Sequence, residues 1–113
     1  MSSSTKTINP NGDIVYYNEK DQFHREDGPA VEDTRGNKYW YLNNQRHRID
    51  GPAVEYSNGY KIWFINGEPL TEEEFKHQVT KLYKLLYGKE VLMNFFIILL
   101  TLLLTPVAQA KQE

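Results

Sequence analysis

The stretch HREDGPAVE at 24–32 returns as HRIDGPAVE at 47–55, displaced by 23 residues. A unit this short cannot enclose a core of its own, so such a period implies small supersecondary units that stack on one another. It also bears on chemistry. A catalytic group is normally required once per site, whereas a structural corner is required once per unit.

Aromatic runs separate the copies. Residues 36–43 read GNKYWYLN and residues 59–66 read GYKIWFIN, with a shorter counterpart, GDIVYYN, at 12–18. β-Branched and aromatic residues bounded by Gly and Asn are a strand signature. Ala30-Val31-Glu32 and Ala53-Val54-Glu55 add short strands after Gly-Pro, where proline's missing donor is harmless. Thr34–Asn37 and Ser57–Tyr60 read as hairpin turns. The spacing predicts a mainly β fold: an antiparallel meander of five strands near 13–17, 29–33, 37–42, 52–56 and 60–65.

A third corner is missing. Leu70 stands where His24 and His47 stand in the copies, and LTEEEF follows. Thr71 with Glu74 forms a capping box, Leu70 with Phe75 fits a hydrophobic staple, and Glu72, Glu73 and Glu74 suit the helix dipole. This predicts an amphipathic helix over about 72–87, with Phe75, Val79, Leu82, Leu86 and Tyr83 on a stripe expected to lie over the sheet, and with Gly88 as its end signal.

Beyond it, VLMNFFIILLTLLLTPVA at 91–108 carries no charge. Its eighteen residues would form a helix of about 27 Å, close to a bilayer's hydrocarbon thickness. A helix apolar all round has no face for water, and Thr101 and Thr105 can bond back to their own backbone. The segment is therefore read as a C-terminal transmembrane helix. Lys81, Lys84 and Lys89 precede it and only Lys111 follows, which places the N-terminal domain in the cytoplasm of a single-pass protein. From Met93 the same run also has the form of a signal-peptide core ending in Ala108-Gln109-Ala110. The expected organisation is a disordered tail at 1–10, a β-repeat domain at 11–70, the amphipathic helix at 71–88 and the anchor at 89–113.

His24, Asp27, Gly28 and Pro29, with their copies His47, Asp50, Gly51 and Pro52, are read as corner residues. Asp before Gly-Pro can accept backbone N–H bonds, and Arg25 and Arg48 can pair with neighbouring carboxylates. The chemical alternative is a His/Asp acid–base pair, or two His and two Asp round one ion. Stacked units favour a ladder over such a cage, so no catalytic group, cofactor or metal is expected. The absence of cysteine excludes thiolate chemistry, and there is no P-loop, Gly-x-Ser-x-Gly or His-Glu-x-x-His. Net charge is −2 with no basic stripe, so nucleic acid is not an expected partner. Lys38 and Lys61 at equivalent positions are the one feature pointing towards it. Tyr39 and Tyr41 oppose Trp40, and Phe64 opposes Trp63, so both sheet faces carry rings. One sheet face then needs the membrane, another subunit such as a second copy of the chain, or a ligand, and those five residues form a candidate binding face for a peptide of a protein partner, a sugar or a base; the alternative is cross-strand pairing that stabilises a thin sheet.

The corner HRxDGPA followed by Asn-Gly and an aromatic strand resembles a short β repeat of bacteriophage, large-virus and bacterial proteins, and is distantly similar to MORN-type repeats. The resemblance covers about residues 11–70. It implies a β-repeat module without a settled activity, often in an accessory protein of a mobile or viral genome. The resulting expectation is a non-enzymatic, membrane-anchored interaction module acting on a host component. The alternatives are a membrane-disrupting, lysis- or toxin-like protein with a cytoplasmic β domain, and a soluble oligomeric structural protein.

Overall fold

The computed structural model describes the backbone of residues 3–112 and the side chains of residues 3–88 and 94–101. Among the described residues nine strands precede the helical region: β1 (Thr5–Ile8), β2 (Ile14–Tyr17), β3 (Val31–Glu32), β4 (Lys38–Tyr39), β5 (Tyr41–Leu42), β6 (Gln45–Arg46), β7 (Val54–Glu55), β8 (Lys61–Ile65) and β9 (Glu68–Leu70). Seven form one antiparallel sheet in the order β1-β2-β3-β4-β7-β8-β9, and β5 with β6 makes a separate hairpin. The expected meander is present and longer than read from the sequence.

Two features lengthen it. The stretch expected as a tail through residue 10 instead supplies β1, paired from Thr5↔Tyr17 to Ile8↔Ile14. The turn joining them, Asn9 to Asp13, closes through Gly12 N–H to Asn9 O at 2.8 Å. The same closure recurs from Gly36 to Asp33 and from Gly59 to Tyr56. All three glycines have positive φ (95°, 86° and 92°), which only glycine adopts without strain. The second feature is a tight hairpin after each long aromatic run. Asn43 and Asn44, then Asn66 and Gly67, have positive φ at both central positions, the condition for the turn that suits strand twist. These hairpins pair β5 with β6 and β8 with β9.

The run expected over 37–42 leaves the large sheet after Tyr39. Trp40 still donates to Ala53 O at 2.8 Å. One step further its neighbour across the ladder would be Pro52, which has no N–H to give. The Tyr41 carbonyl accepts from Arg25 N–H at 3.1 Å instead, joining one unit to the one before it.

The core is small. Val15, Ala30, Ala53, Val54, Phe64 and Phe75 are its buried apolar residues among those described, and Tyr39, Trp40, Tyr56 and Ile62 pack against the central cluster. Val54 is fully enclosed, a burial worth about 1.5–3 kcal/mol. Ala30 and Ala53 are equally enclosed at matching places, where a larger residue would overpack the sheet.

The helical element α1 (Glu72–Gln112) is two helices joined at Gly88, whose φ of 72° and ψ of −171° lie outside the helical region. The expected capping box is in place: Thr71 N–H donates to Glu74 Oε1 at 2.9 Å, and Glu74 N–H to Thr71 Oγ1 at 3.1 Å. The chain divides into two compact units, Met1–Lys76 and His77–Glu113. Of the expected stripe, Phe75 is buried, Val79 and Leu82 are half-buried, and Tyr83 and Leu86 are exposed. Thr101 Oγ1 donates to Ile97 O at 2.8 Å, as expected of a threonine in an apolar helix. Among the described residues no helix is long and apolar enough to cross a membrane. Of residues 91–110, only 94–101 have described side chains; the rest, Thr105 and the Ala108-Gln109-Ala110 site included, lie outside them.

Candidate functional site

The repeated corner is assembled on one plan twice. His24 is 3% exposed, and its Nδ1 accepts the backbone N–H of Asn43 at 3.1 Å. His47 Nδ1 accepts the N–H of Asn66 at 3.0 Å. Both bonds span 19 residues, from one unit to the hairpin of the next. Facing a donor, Nδ1 must carry the lone pair, which leaves the ring proton on Nε2. In His24 that Nε2 lies 3.7 Å from Glu26 Oε1. Burial lowers the pKa of His47 below its ordinary 6.5, favouring the neutral ring that the bond requires.

The arginine beside each histidine closes the corner. Arg25 Nε donates to Asp27 Oδ1 at 2.9 Å and Nη1 to Pro29 O at 3.2 Å, while the guanidinium lies 4.1 Å from the centre of the Tyr16 ring. Arg48 repeats this with Asp50 at 2.8 Å, Pro52 O at 3.0 Å and the Trp40 ring at 4.0 Å, and adds Glu55 Oε1 at 3.2 Å. Hydrogen bonding from Arg25, then its charge, holds Asp27 below the usual carboxylate range. The glycines follow from this packing. A Cβ on Gly28 or Gly51 would stand 2.8 Å from the guanidinium carbon of Arg25 or Arg48. Asp-Gly-Pro is thus the floor on which the arginine rests.

The five residues of the candidate binding face do not gather on one surface. Trp40 and Trp63 belong to one set of contacts: Tyr16 is covered by Arg25, Trp40 by Arg48, and Trp63 by Phe75, at 6.5 Å between ring centres. Tyr39, Tyr41 and Phe64 belong to the opposite set. There Phe23 lies between Tyr17 (5.5 Å) and Tyr41 (5.2 Å). Arg46, the counterpart of Phe23 one unit on, lies over Tyr41 (5.9 Å) and Phe64 (5.3 Å) and bonds the Tyr41 hydroxyl at 3.2 Å. Tyr39 meets Tyr56 edge-on at 6.2 Å. The rings therefore form two internal ladders, each covered by side chains of the neighbouring unit.

Lys38 and Lys61 fall in a cross-strand row with Glu32 and Glu55, in the register Glu32↔Lys38↔Glu55↔Lys61. Opposite charges set directly across a sheet support pairing, and the row has no net charge. A depression of about 420 Å³ is lined by Asn18, Glu19, Lys20, Gln22 and Asn43. Its amides bond one another, Asn18 Nδ2 to Gln22 Oε1 at 2.9 Å and to Asn43 Oδ1 at 3.0 Å. Among the described residues, no three His, Asp or Glu are grouped to hold a metal ion.

Sequence reasoning missed Phe23 and Arg46. Their signal was positional, since each directly precedes the repeated His-Arg pair. Compared with protein-family models, curated proteins and solved structures, the chain has no match.

Proposed function

We propose that this chain is a non-enzymatic interaction module, a short β-repeat array held at a membrane by residues 91–108, with the array on the cytoplasmic side. One observation carries the non-enzymatic part. Both copies of every polar corner residue are engaged in the same intrachain contacts, each His Nδ1 with a backbone N–H and each Asp with its arginine. A group held twice in one structural role is poorly placed for chemistry. The membrane part is supported by the uncharged run itself and by its described portion, where Phe95, Phe96, Ile97, Ile98, Leu99 and Leu100 are all exposed. Such a surface in water would be an association hazard. The likeness of the corner to repeats of phage and viral proteins supports an accessory role towards a host component, reached through the open edges of the sheet. β1, with all four residues exposed, offers one such edge.

The test is fractionation of the full chain expressed in bacteria. The wild type pellets with membranes and resists alkaline extraction, and Phe96→Lys with Leu100→Lys moves it to the supernatant. A wild type found wholly in the soluble fraction as a monodisperse species defeats the anchoring reading. A wild type that depolarises the membrane on expression favours the lysis-like alternative.

A further inference from the structure

Among the described residues, the helix after Lys76 carries a surface that nothing in its own unit covers. Tyr83 is 43% exposed, Leu85 76%, Leu86 65% and Tyr87 55%. At 100° per residue, Val79, Leu82 and Leu86 share one face, Leu85 and Tyr83 flank it, and His77, Lys81 and Lys84 fall opposite. The tyrosine rings stack, with centres 5.7 Å apart and planes 26° apart. Tyrosine has an apolar body and a polar tip, the form enriched where hydrocarbon meets water.

The charges are arranged to match. Lys76 is paired with Glu72 at 3.4 Å. Lys81 and Lys84 have no carboxylate three or four residues away on either side, so no acidic neighbour on the helix offsets them. With the apolar face turned to the acyl chains, lysines on the opposite side carry their ammonium groups at phosphate level on long, flexible stems. Gly88 then breaks the helix at φ 72°, with open space where a Cβ would be. The preceding residues are thereby freed from the direction of the uncharged segment that follows.

We infer that residues 77–87 lie flat in the headgroup layer of an anionic lipid surface, with Leu85, Leu86, Tyr83 and Tyr87 against the acyl boundary and Lys81 and Lys84 on lipid phosphates. This deepens the anchoring reading of residues 91–108 and rests on it. A protein groove could accept the leucines, but the two lysines and the uncharged chain immediately beyond the glycine favour lipid.

Because the chain has no cysteine, single-cysteine variants of the full chain can carry an environment-sensitive nitrobenzoxadiazole label. Leu86→Cys reports the apolar face and His77→Cys the polar face. Each is mixed with vesicles of phosphatidylcholine alone, or of phosphatidylcholine with phosphatidylglycerol, and followed by flotation, emission and quenching by headgroup-proximal spin-labelled lipid. The expected result is a blue-shifted, quenched label at 86 in anionic vesicles and an aqueous label at 77. Changing both Lys81 and Lys84 to Gln lowers the seated-to-free ratio at position 86 by about 30-fold, near fivefold per lysine. If the chain floats but the label at 86 stays aqueous, or is equally immersed in neutral vesicles and indifferent to the lysine changes, the inference is overturned and anchoring stands. If the chain does not float with either vesicle, the anchoring reading fails and takes this inference with it.

Discussion

Replacing His24 by leucine keeps most of the side-chain volume and deletes the acceptor for Asn43 N–H. The bond is 3.1 Å long and the ring is 3% exposed, so water has little access to take its place. Asn43 itself is exposed, but this bond is part-buried, and a donor left unpaired there costs about 1–3 kcal/mol. His47→Leu deletes an equivalent 3.0 Å bond at a half-exposed ring, where water can replace the acceptor and only the net value of a hydrogen bond, about 0.5–1.5 kcal/mol, is lost. The expected order is thus His24→Leu near 2 kcal/mol and His47→Leu near 1 kcal/mol. The unit Met1–Lys76 should have a total stability of about 4–11 kcal/mol. The first change then lowers its melting temperature by about 8–16 °C. Both tryptophans of the chain, Trp40 and Trp63, lie in this unit, so near-ultraviolet dichroism of the intact protein reports its unfolding. Equal losses from the two variants, or losses below about 0.5 kcal/mol from both, would refute the acceptor role.

Acid supplies a second arm of the same experiment. The folded pKa of His47 lies below 6.5, so the folded state binds fewer protons than the unfolded chain. Its contribution is complete above 6.5 and is lost as pH falls through the lower folded value. The pH dependence of stability below 6.5 should be shallower in His47→Leu than in the wild type. An unchanged slope would show that Nδ1 of this ring is not the group being titrated.

Three further outcomes follow from the corner and its cap. Gly51→Ala pushes the Arg48 guanidinium from its seat 2.8 Å away and should cost about 1–2 kcal/mol by urea titration; made in an Arg48→Ala background, the same glycine change should lose most of that cost. Arg48→Lys keeps the charge but loses the fork that reaches Asp50, Pro52 O and Glu55 together, and should destabilise by about 1–2 kcal/mol in the same assay. A double-mutant cycle on Trp63→Leu and Phe75→Leu should give a coupling of about 0.5–1.5 kcal/mol; additivity would mean that Phe75 does not cap the ladder.

The strands of the sheet were legible where composition alternated and turn residues bounded the run. The helix start was legible through Thr71 and Glu74, whose reciprocal bonds depend only on a three-residue spacing. Less legible were features set by long-range partners. β1 reads as polar tail because Thr5, Lys6 and Thr7 bury nothing; it is a strand because β2 offers an unpaired edge and Asn9 to Gly12 returns the chain to it. The clue was the glycine spacing, since Gly12, Gly36 and Gly59 recur with nearly the repeat's period. The corner residues read as structural from their repetition, but the partner of each histidine does not show in the sequence. A bond to a backbone N–H 19 residues away leaves no side-chain signature at its far end. What covers the rings was hidden for a related reason. Alternation shows which way a ring points, not whether an arginine from the next unit already lies on it.

The way the array ends explains why two full corners suffice. Each unit presents a ring that the next corner covers with a guanidinium, Arg25 on Tyr16 and Arg48 on Trp40. A further unit built the same way would need a third His-Arg corner after β9. In its place Leu70 and Thr71 start a helix, and Phe75 arrives over Trp63 where an arginine would otherwise lie. An apolar cap on the last ring does what a polar-faced terminal repeat does in longer arrays: it removes the surface on which another unit would grow. With each corner bonded forward to the following hairpin, neither copy is complete without its neighbour. Stability therefore resides in the joints between units more than in a central core, which is why so few apolar residues need to be buried.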